Sequence, residues 1–129
     1  MSSELNPVFE SVSRYFALLS EPMRVRLLHI LCDGEKSVNE IVAAAESPQP
    51  TVSKHLNYLA NAKVLGRRRE GTQVFYQIAN QTMVQLCRTV CVHIAAEMDE
   101  ASSNKSQQEN LLALMPADNE SLYTKTHHV

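Results

Sequence analysis

The chain has 129 residues, 44% hydrophobic and 20% charged, which suits one small domain and excludes fibrous, wholly disordered and disulfide-dense classes. No run approaches the roughly 18 uncharged apolar residues of a membrane span, and Glu4, Glu10 and Arg14 stand where a signal peptide has its apolar stretch, so a cytoplasmic protein without membrane contact is expected. The net charge of −2 is uneven: residues 49–78 carry Lys54, Lys63, Arg67, Arg68 and Arg69 against Glu70 alone, a net +4 that leaves −6 on the rest, and such a block attracts a polyanion by counterion release.

Val8, Phe9, Val12, Phe16 and Leu19 recur at helical spacing, which predicts an amphipathic first helix from residue 8 to about 19, after a short N-terminal arm of residues 1–7. Ser20, followed by Glu21 and Pro22, reads as the N-cap of a second helix. Its apolar side is Met23, Leu27, Leu28, Ile30 and Leu31, its wet side Arg24, Arg26 and His29, and Asp33-Gly34 stops it with Cys32 in the last turn. Ser37-Val38-Asn39-Glu40 is a capping box for a short third helix over about 38–45, with Ile41 and Val42 inward. After the break at Glu46-Ser47-Pro48-Gln49-Pro50, Val52, Leu56 and Leu59 mark the buried side of a fourth helix; Gln49, Thr51, Ser53, Lys54, Asn57 and Asn61 make the other side polar.

The period then changes. Val64–Arg69 and Gln73–Ile78 flank Glu70-Gly71-Thr72 and predict a β-hairpin with the arginines on its first strand. Asn80 opens a fifth helix with a stripe of Val84, Cys87, Cys91, Ile94 and Met98 and a second row of Met83, Leu86 and Val90, a face wider than a monomer of this size needs. Residues 101–108 read as a flexible linker, and 109–129 as a mobile tail with one apolar patch at Leu111–Met115 and a terminal His127-His128 pair read as solvated. The expected architecture is thus mostly α with a β-hairpin wing: a winged helix-turn-helix of about five helices over residues 8–100.

That arrangement has a chemistry. A helix with a polar N-terminal half fits a major groove roughly 12 Å wide, and hairpin arginines reach phosphates or the minor groove. Gln49 suits bidentate contact with adenine and Lys54 contact with guanine or phosphate, with Pro50, Thr51, Ser53, His55, Arg67, Arg68, Arg69 and Thr72 completing the candidate DNA-binding set. The competing reading of the arginines is a solubilising strand edge. Enzyme readings lack their parts: no His-Glu-x-x-His, no phosphate-cradling glycine loop in a chain with three glycines, and no nucleophile with a base.

The entry Leu19-Ser20-Glu21-Pro22-Met23-Arg24, the segment Gln49-Pro50-Thr51-Val52-Ser53-Lys54-His55-Leu56, the following Leu59 and the wing Arg67–Tyr76 occur in the order of a known family. Over about residues 8–98 the chain resembles the ArsR/SmtB winged-helix repressors. The resemblance implies a homodimer built through helices one and five that binds a palindromic double-stranded operator and releases it on meeting an inducer. Pro48 stands where many members cap the recognition helix with serine, leaving Ser47 as the candidate cap.

The resemblance also frames what is sensed. The Cys-x-Cys of the family's arsenic sensors is replaced by Lys36-Ser37-Val38-Asn39-Glu40. The positions matching the helix-five zinc ligands are Asn80, Thr82, His93 and Ala96, so His93 alone is a metal-ligand candidate and the standard zinc site is not expected. The thiols remain. Cys87 and Cys91, four apart on one helix, suit a thiophilic ion such as arsenite, whereas the family's sulfur- and redox-sensing members pair a helix-two cysteine with a helix-five one, here Cys32 with Cys87 or Cys91. Inert apolar cysteines in a constitutive repressor, or a winged-helix protein-interaction module without DNA binding, are the alternatives.

Overall fold

The computed structural model describes residues 3–113. A 3-10 turn, Ser3–Leu5, leads into α1 (Asn6–Leu18); then follow α2 (Pro22–Ile30), a 3-10 turn at Leu31–Asp33, β1 (Lys36–Ser37), α3 (Val38–Ala45), α4 (Gln49–Asn61), β2 (Leu65–Glu70), β3 (Gln73–Ile78) and α5 (Gln81–Ala113). The chain forms two compact units, one ending at Thr89 and the other starting at Val90. No helix of the described residues is long and apolar enough to cross a membrane.

In the first unit α2, α3 and α4 pack on one another, with α4 against β2. The core they enclose includes Leu27, Leu28, Leu31, Ile41, Val52, Leu56, Leu59, Val64, Tyr76 and Met83. The local signals in the chain account for most of the boundaries. The capping box forms as its sequence dictates: the Glu40 N–H donates to Ser37 Oγ (3.2 Å) and the Ser37 N–H to Glu40 Oε1 (3.0 Å). Gly34, at φ 142°, lets the chain leave the 3-10 turn in a conformation that side chains avoid. Asn80 caps α5 by accepting the Met83 N–H (3.1 Å).

Two caps differ from expectation. Glu21, not Ser20, caps α2: Pro22 takes the first helical position, so the residue before it is extended (φ −121°, ψ 124°) and its carboxylate accepts the Arg24 N–H. The Ser20 hydroxyl instead donates back to Ala17 O. Ser47 does not cap α4; its hydroxyl donates to Ala45 O, and Pro48 holds the N-cap position without a side-chain bond. Arg24 closes the other end of α1, donating to Leu18 O (2.8 Å) and Ala17 O (3.1 Å) while its guanidinium lies 4.4 Å above the Tyr58 ring.

The three-stranded antiparallel sheet has the order β1-β3-β2, and the two-residue strand β1 has no sequence signal of its own. The hairpin turns at Gly71-Thr72 with a positive φ (63°) at the glycine only, the pattern of a II′ turn. Helix α5 runs on through the segment expected as a linker: 101–113 is helical, because no glycine or proline interrupts the chain between 81 and 113 and Lys, Gln and Glu are good helix formers. The tail beyond 113, with Met115 and the His127-His128 pair, lies outside the described residues.

The apolar stripe of α1 is not covered in a single chain. Val8, Phe9, Val12 and Phe16 are all exposed and only Leu18 is buried. In the second unit, Val90, Val92, Ile94 and Met98 are exposed as well.

Helix α4 ends in a Schellman motif, Val64 N–H to Leu59 O and Lys63 N–H to Ala60 O, both 3.0 Å, which forces Lys63 to φ 65°. Left-handed backbone costs a side-chain-bearing residue about 1–2 kcal/mol. Lys63→Gly relieves it, and after the extra freedom glycine gives the unfolded chain, a net gain of about 0.5–1 kcal/mol is expected in denaturant unfolding.

Candidate nucleic-acid interface

Helix α4 turns its core residues Val52, Leu56 and Leu59 inward, which leaves Gln49, Ser53 and Asn57, spaced by four, in a row along one flank. Pro50, Thr51 and Lys54 are exposed and carry the polar surface around from that row. His55 departs from expectation. Three residues on from Val52, it falls on the inward side; its side chain is only 13% exposed and Nε2 lies 3.6 Å from Glu21 Oε2.

The wing meets this row. A strand shows alternate side chains to opposite faces, and the register pairs Arg67 with Tyr76, Arg68 with Phe75 and Arg69 with Val74. Arg67, Arg69, Val74 and Tyr76 therefore share one face. There the Tyr76 hydroxyl (3.0 Å) and Arg67 Nη1 (3.3 Å) both donate to Asn57 Oδ1, joining wing to helix. Gln49, Ser53, Asn57, Arg67, Thr72 and Tyr76 line one open groove of about 420 Å³, which Ser37 and Asn39 border from α3's N-terminus. Among the described residues neither Arg67 nor Arg69 is in an ion pair.

Arg68 lies on the other face, away from the groove and in contact with two carboxylates. Its Nε and Nη2 grip the Glu35 carboxylate at 2.8–3.0 Å, Nη1 donates to Glu70 Oε2 at 2.8 Å, and its guanidinium lies 4.4 Å above the Phe75 ring. Its charge is offset locally by the two carboxylates, in contrast to Arg67 and Arg69. Of the residues bordering the groove, Asn57 was legible as part of α4's polar side, whereas Tyr76 enters through the β2–β3 register, which no local pattern announces.

Cys32, on the 3-10 turn, and Cys91 are exposed, and Cys87 is buried; none is in a disulfide. In the second unit, His93 Nε2 pairs with Glu97 Oε1 at 2.7 Å. Among the described residues no group of three or more His, Cys, Asp or Glu is placed to hold a metal ion.

The profile of bacterial regulatory proteins of the arsR family matches residues 21–64. The probable mercury resistance operon repressor of Streptomyces lividans is 31% identical over 93 residues, 70% of this chain and 74% of that protein. The chain belongs to the ArsR family. The HTH-type transcriptional regulator KmtR of Mycobacterium tuberculosis is 40% identical over 75 residues, 58% of either chain, so the match spans less than two thirds of that relative. The homodimeric winged helix-turn-helix DNA-binding domain of Mb0332 from Mycobacterium bovis superposes with a TM-score of 0.67 at 27% identity, covering 78% of this chain and 93% of that one.

Three carboxyls around the helix-turn-helix are held below their ordinary values: Asp33 by its hydrogen bond from Lys36, Glu35 by the Arg68 guanidinium and Glu40 by the Ser37 N–H. Depressed carboxylates stabilise the fold above their unfolded values and lose that contribution as protons bind. The melting temperature is therefore expected to hold steady above pH 4.5, the ordinary value of the two glutamates, and to fall below it. Glu35→Gln with Glu40→Gln flattens that acid limb in a calorimetric pH series.

Proposed function

We propose that the protein is a homodimeric transcriptional repressor that reads a palindromic operator with α4 in the major groove and the inner face of the wing on the backbone. The observation that carries this reading is the convergence of the Gln49–Ser53–Asn57 row and Arg67 on one groove. Base selection falls to Gln49, Thr51 and Ser53, and phosphate affinity to Lys54, Arg67 and Arg69, with Pro50 and Thr72 in van der Waals and hydroxyl contact. The uncovered stripe of α1 and the apolar residues of α5 are the surfaces offered for the dimer, since each large side chain removed from water contributes about 1.5–3 kcal/mol.

The proposed signal is a thiophilic ion such as arsenite, or a reactive sulfur or oxidant species, acting on Cys32, Cys87 or Cys91. Exposure of Cys32 and Cys91 supports it, because a thiol must be reached to react, and the relative from Streptomyces lividans is named for resistance to mercury, itself a thiophilic metal.

A labelled duplex of the gene's own upstream region tests the first part. Retardation at low salt is expected, with Lys54→Ala and Arg67→Ala each lowering the log–log salt slope by about one and Gln49→Ala costing about 1–3 kcal/mol at a single base position. No retardation at low salt would indicate a protein-interaction module instead. For the signal, arsenite, zinc or a persulfide donor is added to the complex and the intact mass is read without reductant. Release by arsenite or persulfide, lost in the Cys→Ser variant of the responding residue, is expected; indifference to all three would make the protein a constitutive repressor.

A further inference from the structure

The middle arginine of the wing has a position that DNA contact does not explain. Arg68 is held from three directions: a fork-to-fork bond with Glu35, a second bond with Glu70, and Phe75 beneath the guanidinium. Glu35 lies 33 residues earlier, between the 3-10 turn and β1, and its side chain is 27% exposed against 47% for Arg68. The trio of Arg68, Glu35 and Glu70 sums to one negative charge, so this face of the wing does not attract phosphate.

We infer that Arg68 and Glu35 are positioning residues for DNA binding, a clamp that ties the outer face of the wing to the loop before β1 and thereby aims Arg67 and Arg69 toward the groove. The reasoning is mechanical. A two-stranded ribbon twists and bends freely unless something holds it. Midway along the hairpin β3 pairs with β1 through Tyr76 and Phe75, and on the inner face Asn57 receives Arg67 and Tyr76. The Glu35–Arg68 bond is the matching restraint on the outer face, at the same level of the ribbon, because Arg68 stands opposite Phe75 and next to Arg67. A bidentate pair fixes direction as well as distance, which a lysine in the same place does not do.

The inference rests on the DNA-binding reading for its affinity readout, so a second readout is independent of DNA. In salt-dependent titration of full-length protein with the upstream duplex, Arg68→Ala and Glu35→Gln are each expected to weaken binding about two- to five-fold with the salt slope unchanged, in contrast to Arg67→Ala. Exchanging the two residues, Glu35→Arg with Arg68→Glu, restores affinity. In parallel, amide hydrogen exchange of free Glu35→Gln is expected to speed up in β2 and β3 while α2–α4 keep their protection. A salt slope that falls by one in Arg68→Ala would overturn the clamp and return Arg68 to the phosphate contacts, as would unchanged exchange in the wing of Glu35→Gln. If wild-type protein fails to retard DNA while wing exchange responds as expected, the DNA reading fails and the clamp stands as a restraint on the wing alone.

Discussion

The turn at Gly71-Thr72 sets the register of β2 on β3, and the register decides what each wing arginine can do. In a strand, neighbours cannot share a face. Arg67 and Arg69 are therefore committed to the side of Tyr76 and Asn57, and Arg68 to the side of Phe75 and Glu35. A slip of one residue would reverse both assignments, placing one arginine over the groove and two against the carboxylates. Three consecutive arginines thus stand on two different faces, and the turn at the hairpin's glycine keeps them there.

The same division explains how a chain of net charge −2 can offer a polyanion a favourable surface. Charge matters where it is uncompensated. Glu35 and Glu70 are paired with Arg68, Glu21 stands beside His55, and Glu40 is held in the Ser37 capping box. What remains is Arg67 at the groove, Arg69 on the same face of the wing and Lys54 exposed on α4, beside neutral amides and hydroxyls, a surface on which, in the proposed reading, cations give attraction and amides give discrimination.

Much of this was legible because its causes are local. The Ser37/Glu40 box, the stop at Asp33-Gly34, the core row Val52, Leu56 and Leu59, and the hairpin around Gly71 each depend on residues within a few positions of one another. The candidate site divides along the same line: Gln49, Ser53 and Lys54 follow from helical spacing, but the fate of Arg68 depends on a carboxylate 33 residues away. His55 is an intermediate case, since its spacing from Val52 already pointed it inward and its polarity argued the other way. Helix α5 outran its expected end because the serine- and asparagine-containing stretch holds no glycine or proline and is interspersed with the helix formers Lys, Gln and Glu, whereas its polar composition alone read as a linker.

Uncovered apolar side chains on α1 give association a role in recognition as well as in stability. A small domain that leaves Val8, Phe9, Val12 and Phe16 wet forgoes a large part of the burial its sequence could supply, and a second copy is the proposed means of recovering it. One copy alone would meet DNA with only a few cations, which gives weak and salt-sensitive binding. Two copies joined rigidly convert the second half-site into an intramolecular event, so affinity depends on the spacing of the two recognition helices as strongly as on their contacts. Under the proposed thiol signal, a chemical change need not touch a single base contact to release the operator; it has only to alter how the two copies sit together by a fraction of the groove width.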